Sequence, residues 1–222
     1  MNTDKLVKLI RYIAAIPKSL YVNLRLLPFD QAIKLPIIVS NRTKLISLNG
    51  KVKLEKVKTG LVRIGFTGAD MIDYRFSRTM LQIDGDFTVN GKVKIGKGTR
   101  LIVAGDLDLG ANFIATGDNT IICEKQMSIG SDCMFAWESV VMDTDQHAIF
   151  DESGDQINIE DRVVIGNNVW LGARSFVLKN SVIEDGCIVA ANTTVTRSIA
   201  EKDVIIAGAP SKKIKEGVHW QH

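Results

Sequence analysis

The sequence predicts an all-β fold, a parallel β-helix of six-residue repeats with a short helical N-terminal segment and a short C-terminal tail. Three observations predict it. The 222 residues hold 26 Ile and 20 Val against 17 Leu, with only 6% aromatics; such stiff, branched side chains pack well on pleated surfaces. Aliphatic residues recur every six positions at Ile159, Ile165, Leu171, Val177, Ile183, Val189 and Val195. The fifth position of the hexad is often small: Ser175, Ser181, Cys187, Thr193. A period of six fits neither a helix nor an isolated strand. It fits a short strand plus a tight corner, three of which make a coil of about 18 residues whose neighbours stack and bury aliphatic columns.

The elements follow in order. Residues 1–45 lack the period. Leu6, Leu9, Ile10, Ile13 and Ile16 lie at helical spacing, with Asp4 as cap and Pro17 as stop; Pro28 and Pro36 punctuate a second short segment. The β-helix is expected over 46–210. One column runs Ile83, Val89, Ile95, Leu101, Leu107, Phe113, and another Cys123, Ile129, Phe135, Val141. The ten-residue step between them implies a small insertion. From Val141 to Ile159 the step is three whole hexads, but His147 and Ser153 break the column, so 143–158 is expected to leave the coil as a loop, where function concentrates on a rigid scaffold. Residues 211–222 form a basic tail that leaves the helix.

No apolar run approaches the ~18–20 residues of a membrane-spanning helix. The start, MNTDKLVKLI, is charged through its apolar stretch and lacks a small-residue cleavage site, which argues against a secretory signal and for a cytoplasmic chain. Cys123, Cys133 and Cys187 have no CxxC spacing, so they read as core thiols rather than a disulfide or zinc framework. Net charge is +3, but residues 1–58 carry twelve Lys/Arg against three acids. A basic segment with interspersed apolar residues suits peripheral contact with an anionic membrane, though a docked helix with a solvated basic face is the simpler reading. No ribonucleoprotein pattern or basic helix-turn-helix suggests nucleic acid.

Of three histidines, His219 and His222 fall in the tail and read as a frayed end or a cloning remnant. His147 stands where the repeat calls for an aliphatic, inside the polar stretch Asp143-Thr144-Asp145-Gln146-His147. Asp145, two residues earlier, is placed to accept from one ring nitrogen and leave the other as a base; a solvated loop histidine is the alternative. One histidine outside the tail does not make a zinc site, and no GxSxG, P-loop or GxGxxG occurs.

The hexads, DTDQHAIFD, IGNNVWLGARSFVLKNSVIEDGCIVAANTTVTRSI and AGAPSKKIK resemble the left-handed β-helix, hexapeptide-repeat acyltransferases. The resemblance is closest to acetyltransferases of capsular and lipopolysaccharide sugars and to the maltose and galactoside O-acetyltransferases, and is densest over 129–215. It implies the left hand, a homotrimer with sites between subunits, acetyl-CoA as co-substrate, no metal, and a sugar or nucleotide- or lipid-linked sugar as acceptor. His147 matches the catalytic base and Asp145 the acid of D-x-H. Ala173, Ala191, Thr196, Arg197, Lys212 and Lys215 match coenzyme A positions. The family's thioester-facing asparagine is missing: the stretch reads Phe135-Ala136-Trp137-Glu138, which offers Trp137 and Glu138 to the acceptor instead. Transfer of another acyl group, a catalytically inactive trimeric scaffold, and a carbonic anhydrase on the same fold are the alternatives; the last lacks histidines.

Overall fold

A computed structural model describes residues 3–68, 73 and 76–221, with side chains from residue 5. The aliphatic columns become three parallel sheets. Sheet A contains β1 (Ile37–Val39), β4 (Val62–Ile64), β7 (Val93–Ile95), β10 (Phe113–Ala115), β13 (Met134–Phe135), β16 (Trp170–Leu171), β19 (Ile188–Val189), β21 (Val204–Ala207) and β22 (Lys212–Glu216). Sheet B contains β2 (Lys44–Leu48), β5 (Met80–Ile83), β8 (Arg100–Val103), β11 (Thr120–Cys123), β14 (Val140–Met142), β17 (Phe176–Val177) and β20 (Thr194–Val195). Sheet C contains β3 (Lys51–Leu54), β6 (Asp86–Val89), β9 (Asp106–Leu109), β12 (Gln126–Ile129), β15 (Val163–Ile165) and β18 (Val182–Ile183). The chain visits A, B and C in turn, so height along the stack follows sequence position. The first coil starts at Ile37, ahead of residue 46.

Every expected column residue from Ile83 to Val141 and from Ile165 to Val195 is buried. Ile159 is the exception, 70% exposed, because the loop runs on until β15. The coil length also differs from expectation. Arg100 pairs with Thr120 and Asp106 with Gln126, a 20-residue offset, whereas Trp170 pairs with Ile188 and Phe176 with Thr194, an 18-residue offset. The longer coils have four-residue strands in sheet B with two inward side chains, as in β8 and β11; β17 and β20 have two residues and one inward side chain. The ten-residue step is therefore not one insertion. Two extra residues recur in each long coil.

The corner between sheets A and B holds a buried polar column. Thr43, Thr79, Thr99, Asn119, Ser139, Ser175, Thr193 and Ser211 are all at most 5% exposed, and adjacent coils bond through them, as Thr120 N to Ser139 O and Val140 N to Ser175 O. Small polar side chains fit this sharp turn; Ser175 Oγ donates to the Gly172 carbonyl, whereas the hydroxyls of Thr43, Thr99, Thr193 and Ser211 are buried with no hydrogen-bond partner among the described residues. Asn119 bonds the Gly117 N–H, the Ala136 carbonyl and the Ser139 hydroxyl. Next to the column, Glu138, Arg174 and Asn192 sit at φ near +60°.

The N-terminal helix α1 spans Thr3–Leu26 and passes through Pro17 rather than ending there. Pro17 is exposed, so the carbonyl it leaves without an amide partner can be solvated, while Ala15, Ser19, Val22, Asn23 and Leu26 stay buried on the opposite side. The Asp4 cap falls outside the described side chains. These buried residues seal the free edge of β1. Asn23 Nδ2 donates to the Ile37 carbonyl and its Oδ1 accepts from the Ile37 N–H; Ser19 Oγ accepts from the Val39 N–H. The short α2 (Phe29–Ala32) then leads into β1.

At the other end β22 returns antiparallel along β21, so the basic tail closes sheet A instead of leaving it. Trp220 is buried, donates to the Asn168 carbonyl and packs on Trp170, so the chain is docked at Trp220, not frayed. His219 is exposed, and His222 lies outside the described residues.

Asn23→Ala leaves the Ile37 N–H and carbonyl buried without partners and is expected to cost about 2–3 kcal/mol. Urea unfolding monitored by circular dichroism checks this, with exposed Asn49→Ala expected to change stability by less than about 0.5 kcal/mol.

Candidate active site

The loop leaves the coil after β14, at the corner between sheets B and C, and re-enters at β15. Asp143 anchors its start. This carboxylate is fully buried and accepts from the amides of Glu124, Lys125 and Gln126 in the coil above. The loop then folds on itself: Phe150 and Gln156 form an antiparallel bridge, and Asp151 accepts from the amides of Ser153 and Asp155.

His147 is exposed, and among the described residues nothing hydrogen-bonds its imidazole. The expected bond to Asp145 is not made. Gln146 between them has φ +60°, which turns the two side chains apart. Asp145 Oδ2 instead meets Lys179 Nζ at 2.7 Å and accepts from Asn158 Nδ2 at 2.8 Å. The same Asn158 nitrogen donates to the His147 carbonyl, and its Oδ1 accepts from the Ile149 N–H. Lys179 also donates to the carbonyls of Asn158 and Ile159. Asp145 thus fixes the loop that carries His147. The Lys179 hydrogen bond, then that of Asn158, hold its carboxyl below the usual carboxylate range.

Asn158 and Lys179 were not anticipated. Lys179 did leave a signal: by the pairing of β14 with β17 it occupies the second inward position of the sheet B strand, held by Val103 and Cys123 in the coils above. Arg197 falls there one coil further on.

The other expected site residues form separate groups. Trp137, Ala173 and Ala191 stack at the A–B corner, with Arg174 N donating to Trp137 O and Asn192 N to Ala173 O. Glu138 is not free: its carboxylate meets Arg174 Nε at 2.5 Å. Thr196 and Arg197 follow β20 at the B–C corner of the last full coil, and Arg197 donates to the Ser211 carbonyl. Lys212 and Lys215 are exposed on β22, while Lys213 between them takes the acids Glu201 and Glu216. Within one chain, His147 and the alanine column therefore occupy different corners of the prism.

All three cysteines are buried and unpaired. Burial pushes the Cys133 thiol up to about 12 and the Cys123 and Cys187 thiols upward as well, so none is a thiolate at neutral pH. Among the described residues no group of three or more His, Cys, Asp or Glu is placed to hold a metal ion.

Residues 162–197 match the family model for the bacterial transferase hexapeptide, six repeats. A polysialic acid O-acetyltransferase of Neisseria meningitidis is 28% identical over 200 residues, covering 90% of this chain and 84% of that protein. The chain is thus similar along most of its length to a sugar O-acetyltransferase, and it carries hexapeptide repeats of the bacterial transferase kind over 162–197. An uncharacterized 24.8 kDa protein of the cps region of Klebsiella pneumoniae is 29% identical over 205 residues, covering 90% and 88%. An N-acyltransferase from Bacillus cereus, solved with dTDP and 3-hydroxybutyryl-CoA, shares the fold at 17% identity and a TM-score of 0.50, covering 82% and 80%. The parallel β-helix of this chain is interrupted between β14 and β15 by the loop that carries His147.

Lys179→Met removes the cation from Asp145. The carboxyl is expected to titrate higher than in the wild type, by carbon-detected NMR, with the Asn158 hydrogen bond still lowering it. Because the wild-type carboxyl is depressed, its anchoring of the loop is present above the ordinary carboxylate pKa and is lost only as pH falls through the lower folded value. In the variant that loss moves to higher pH, read as faster amide exchange at Ile149 and Ile157 near pH 4.

Proposed function

We propose that the chain transfers an acetyl group from acetyl-CoA to a hydroxyl of a surface-polysaccharide sugar or its precursor, with His147 as general base. The observation that carries this reading is His147 itself. On an acyltransferase scaffold, an exposed imidazole without a partner is held on a loop pinned by Asp145, Asn158 and Lys179. A ring left free is one that can take a proton from an incoming hydroxyl. The similarity to a polysialic acid O-acetyltransferase supports a sugar hydroxyl over an amine.

The acyl donor is a substrate here, and residues of the last coils suit it. Ala173 and Ala191 leave the A–B corner low, so a thin pantetheine arm fits against the backbone. Lys212 and Lys215 carry no acid partner among the described residues, and they and Arg197 supply cations for nucleotide phosphates. In the reaction, His147 accepts the hydroxyl proton as the oxygen attacks the thioester carbonyl. The tetrahedral adduct collapses with cleavage of the C–S bond, and the proton passes to the departing CoA thiolate. No asparagine faces the carbonyl, so a backbone N–H is the proposed oxyanion donor. Trp137 is left to face the acceptor.

Because the loop and the alanine column lie at different corners, we assign the complete site to a homotrimer, with His147 of one subunit facing the corner of the next. Free CoA release from acetyl-CoA across a panel of sugars and nucleotide sugars tests the activity. His147→Ala is expected to lower kcat by about 10²–10⁴-fold with the trimer mass unchanged; turnover like the wild type overturns the assignment.

A further inference from the structure

We propose that the outer face of α1 docks this protein onto an anionic phospholipid surface. The inference is independent of the chemistry proposed above and rests on how α1 closes the stack.

Asn23 and Ser19 bond the unpaired edge of β1, so α1 lies across the N-terminal end of the β-helix. One side of the helix faces the coils and the opposite side faces away from them along the stack axis. That outward side is apolar. Leu6, Leu9, Ile10, Ile13, Ile16, Leu20 and Leu24 recur at helical spacing and are 40–57% exposed. Single exposed aliphatics are ordinary, but a contiguous ridge on one helix marks an interaction surface.

Charge selects the partner. Between Thr3 and Leu26 there are five Lys/Arg and one acid, Asp4. Lys18 and Arg25 are spent holding the helix down, on the carbonyls of Asn41, Thr43 and Leu48. Lys5, Lys8 and Arg11 are exposed, and among the described residues they have no ion-pair or hydrogen-bond partner. Height in the stack follows sequence, so the +9 of residues 1–58 becomes a basic end, and the −6 of the remainder lies in the coils beyond it. An apolar ridge bordered by Lys5 on the basic end of the stack matches an anionic bilayer surface, while Lys8 and Arg11 lie on the coil-facing side of α1 beside Arg63 and Ser40. Two such ends repel each other, which disfavours a second copy as the occupant. Among the described residues no helix is long and apolar enough to cross a membrane, so α1 is proposed to lie along the surface.

The test is flotation of the full chain with vesicles of phosphatidylcholine containing about 30 mol% phosphatidylglycerol. The wild type is expected to float with these vesicles, to float poorly with pure phosphatidylcholine, and to be released by about 0.5 M NaCl. Ile13→Glu/Leu20→Glu is expected to abolish flotation, and Lys5→Glu/Lys8→Glu to weaken it about tenfold or more. Both variants should keep the wild-type circular dichroism and oligomeric mass. Wild-type protein that stays off anionic vesicles at low salt overturns the proposal. So does an Ile13→Glu/Leu20→Glu protein that floats normally, or one whose oligomer falls apart, since a second copy then covers the ridge.

Discussion

Backbone pairing between successive coils is the constraint on which everything else depends. Each strand bonds the strand one coil away, so the interior is a narrow prism that only aliphatic or small side chains fill, and a coil has little freedom to change its path. Function is thereby confined to the corners and to excursions that leave the coil and return in register. The loop between β14 and β15 is such an excursion: the strands on either side, β11 above and β17 below, pair with β14 without shift. A long insertion at a rigid corner disturbs neither neighbour, and it places an imidazole outside the prism.

The same constraint explains why the polar residues cluster as they do. The A–B corner carries a buried column of Ser, Thr and Asn because that turn is too tight for large side chains. The B–C corner changes character down the stack. Its second inward position is apolar in the long coils, at Val103 and Cys123, and then becomes Asp143, Lys179 and Arg197 where the sheet B strands shorten. Asp143 caps the coil above and Lys179 clamps the loop. Loss of two residues per coil thus turns a packing position into a charged one, at the height where the proposed chemistry takes place.

Much of this was legible in the sequence, and the failures have identifiable causes. The period of six located the sheets because inward side chains must be aliphatic. It misjudged coil length because a four-residue strand has two inward positions, at i and i+2; a run such as Ile95 to Leu101 passes from one to the other without breaking the pattern. His147 was legible as a polar residue in an aliphatic column. Its relation to Asp145 was not, because a left-handed residue at Gln146 swings the pair apart and the true partners, Asn158 and Lys179, are 13 and 34 positions away. Pro17 suggested a helix end because sequence does not show which side of the helix faces solvent. The tail looked loose because the docking of Trp220 on Trp170 is a tertiary contact.

The proposal that one site is assembled from two subunits is tested most directly by mixing inactive partners. His147→Ala removes the base at the B–C corner, and Ala191→Trp blocks the donor column at the A–B corner. Each alone is expected to be inactive as a homo-oligomer. Co-refolded in equal amounts, they should regain acetyl transfer, because a mixed trimer contains an interface where intact His147 meets an intact corner. Mixed trimers that form, by native mass measurement, yet show no activity would contradict a shared site.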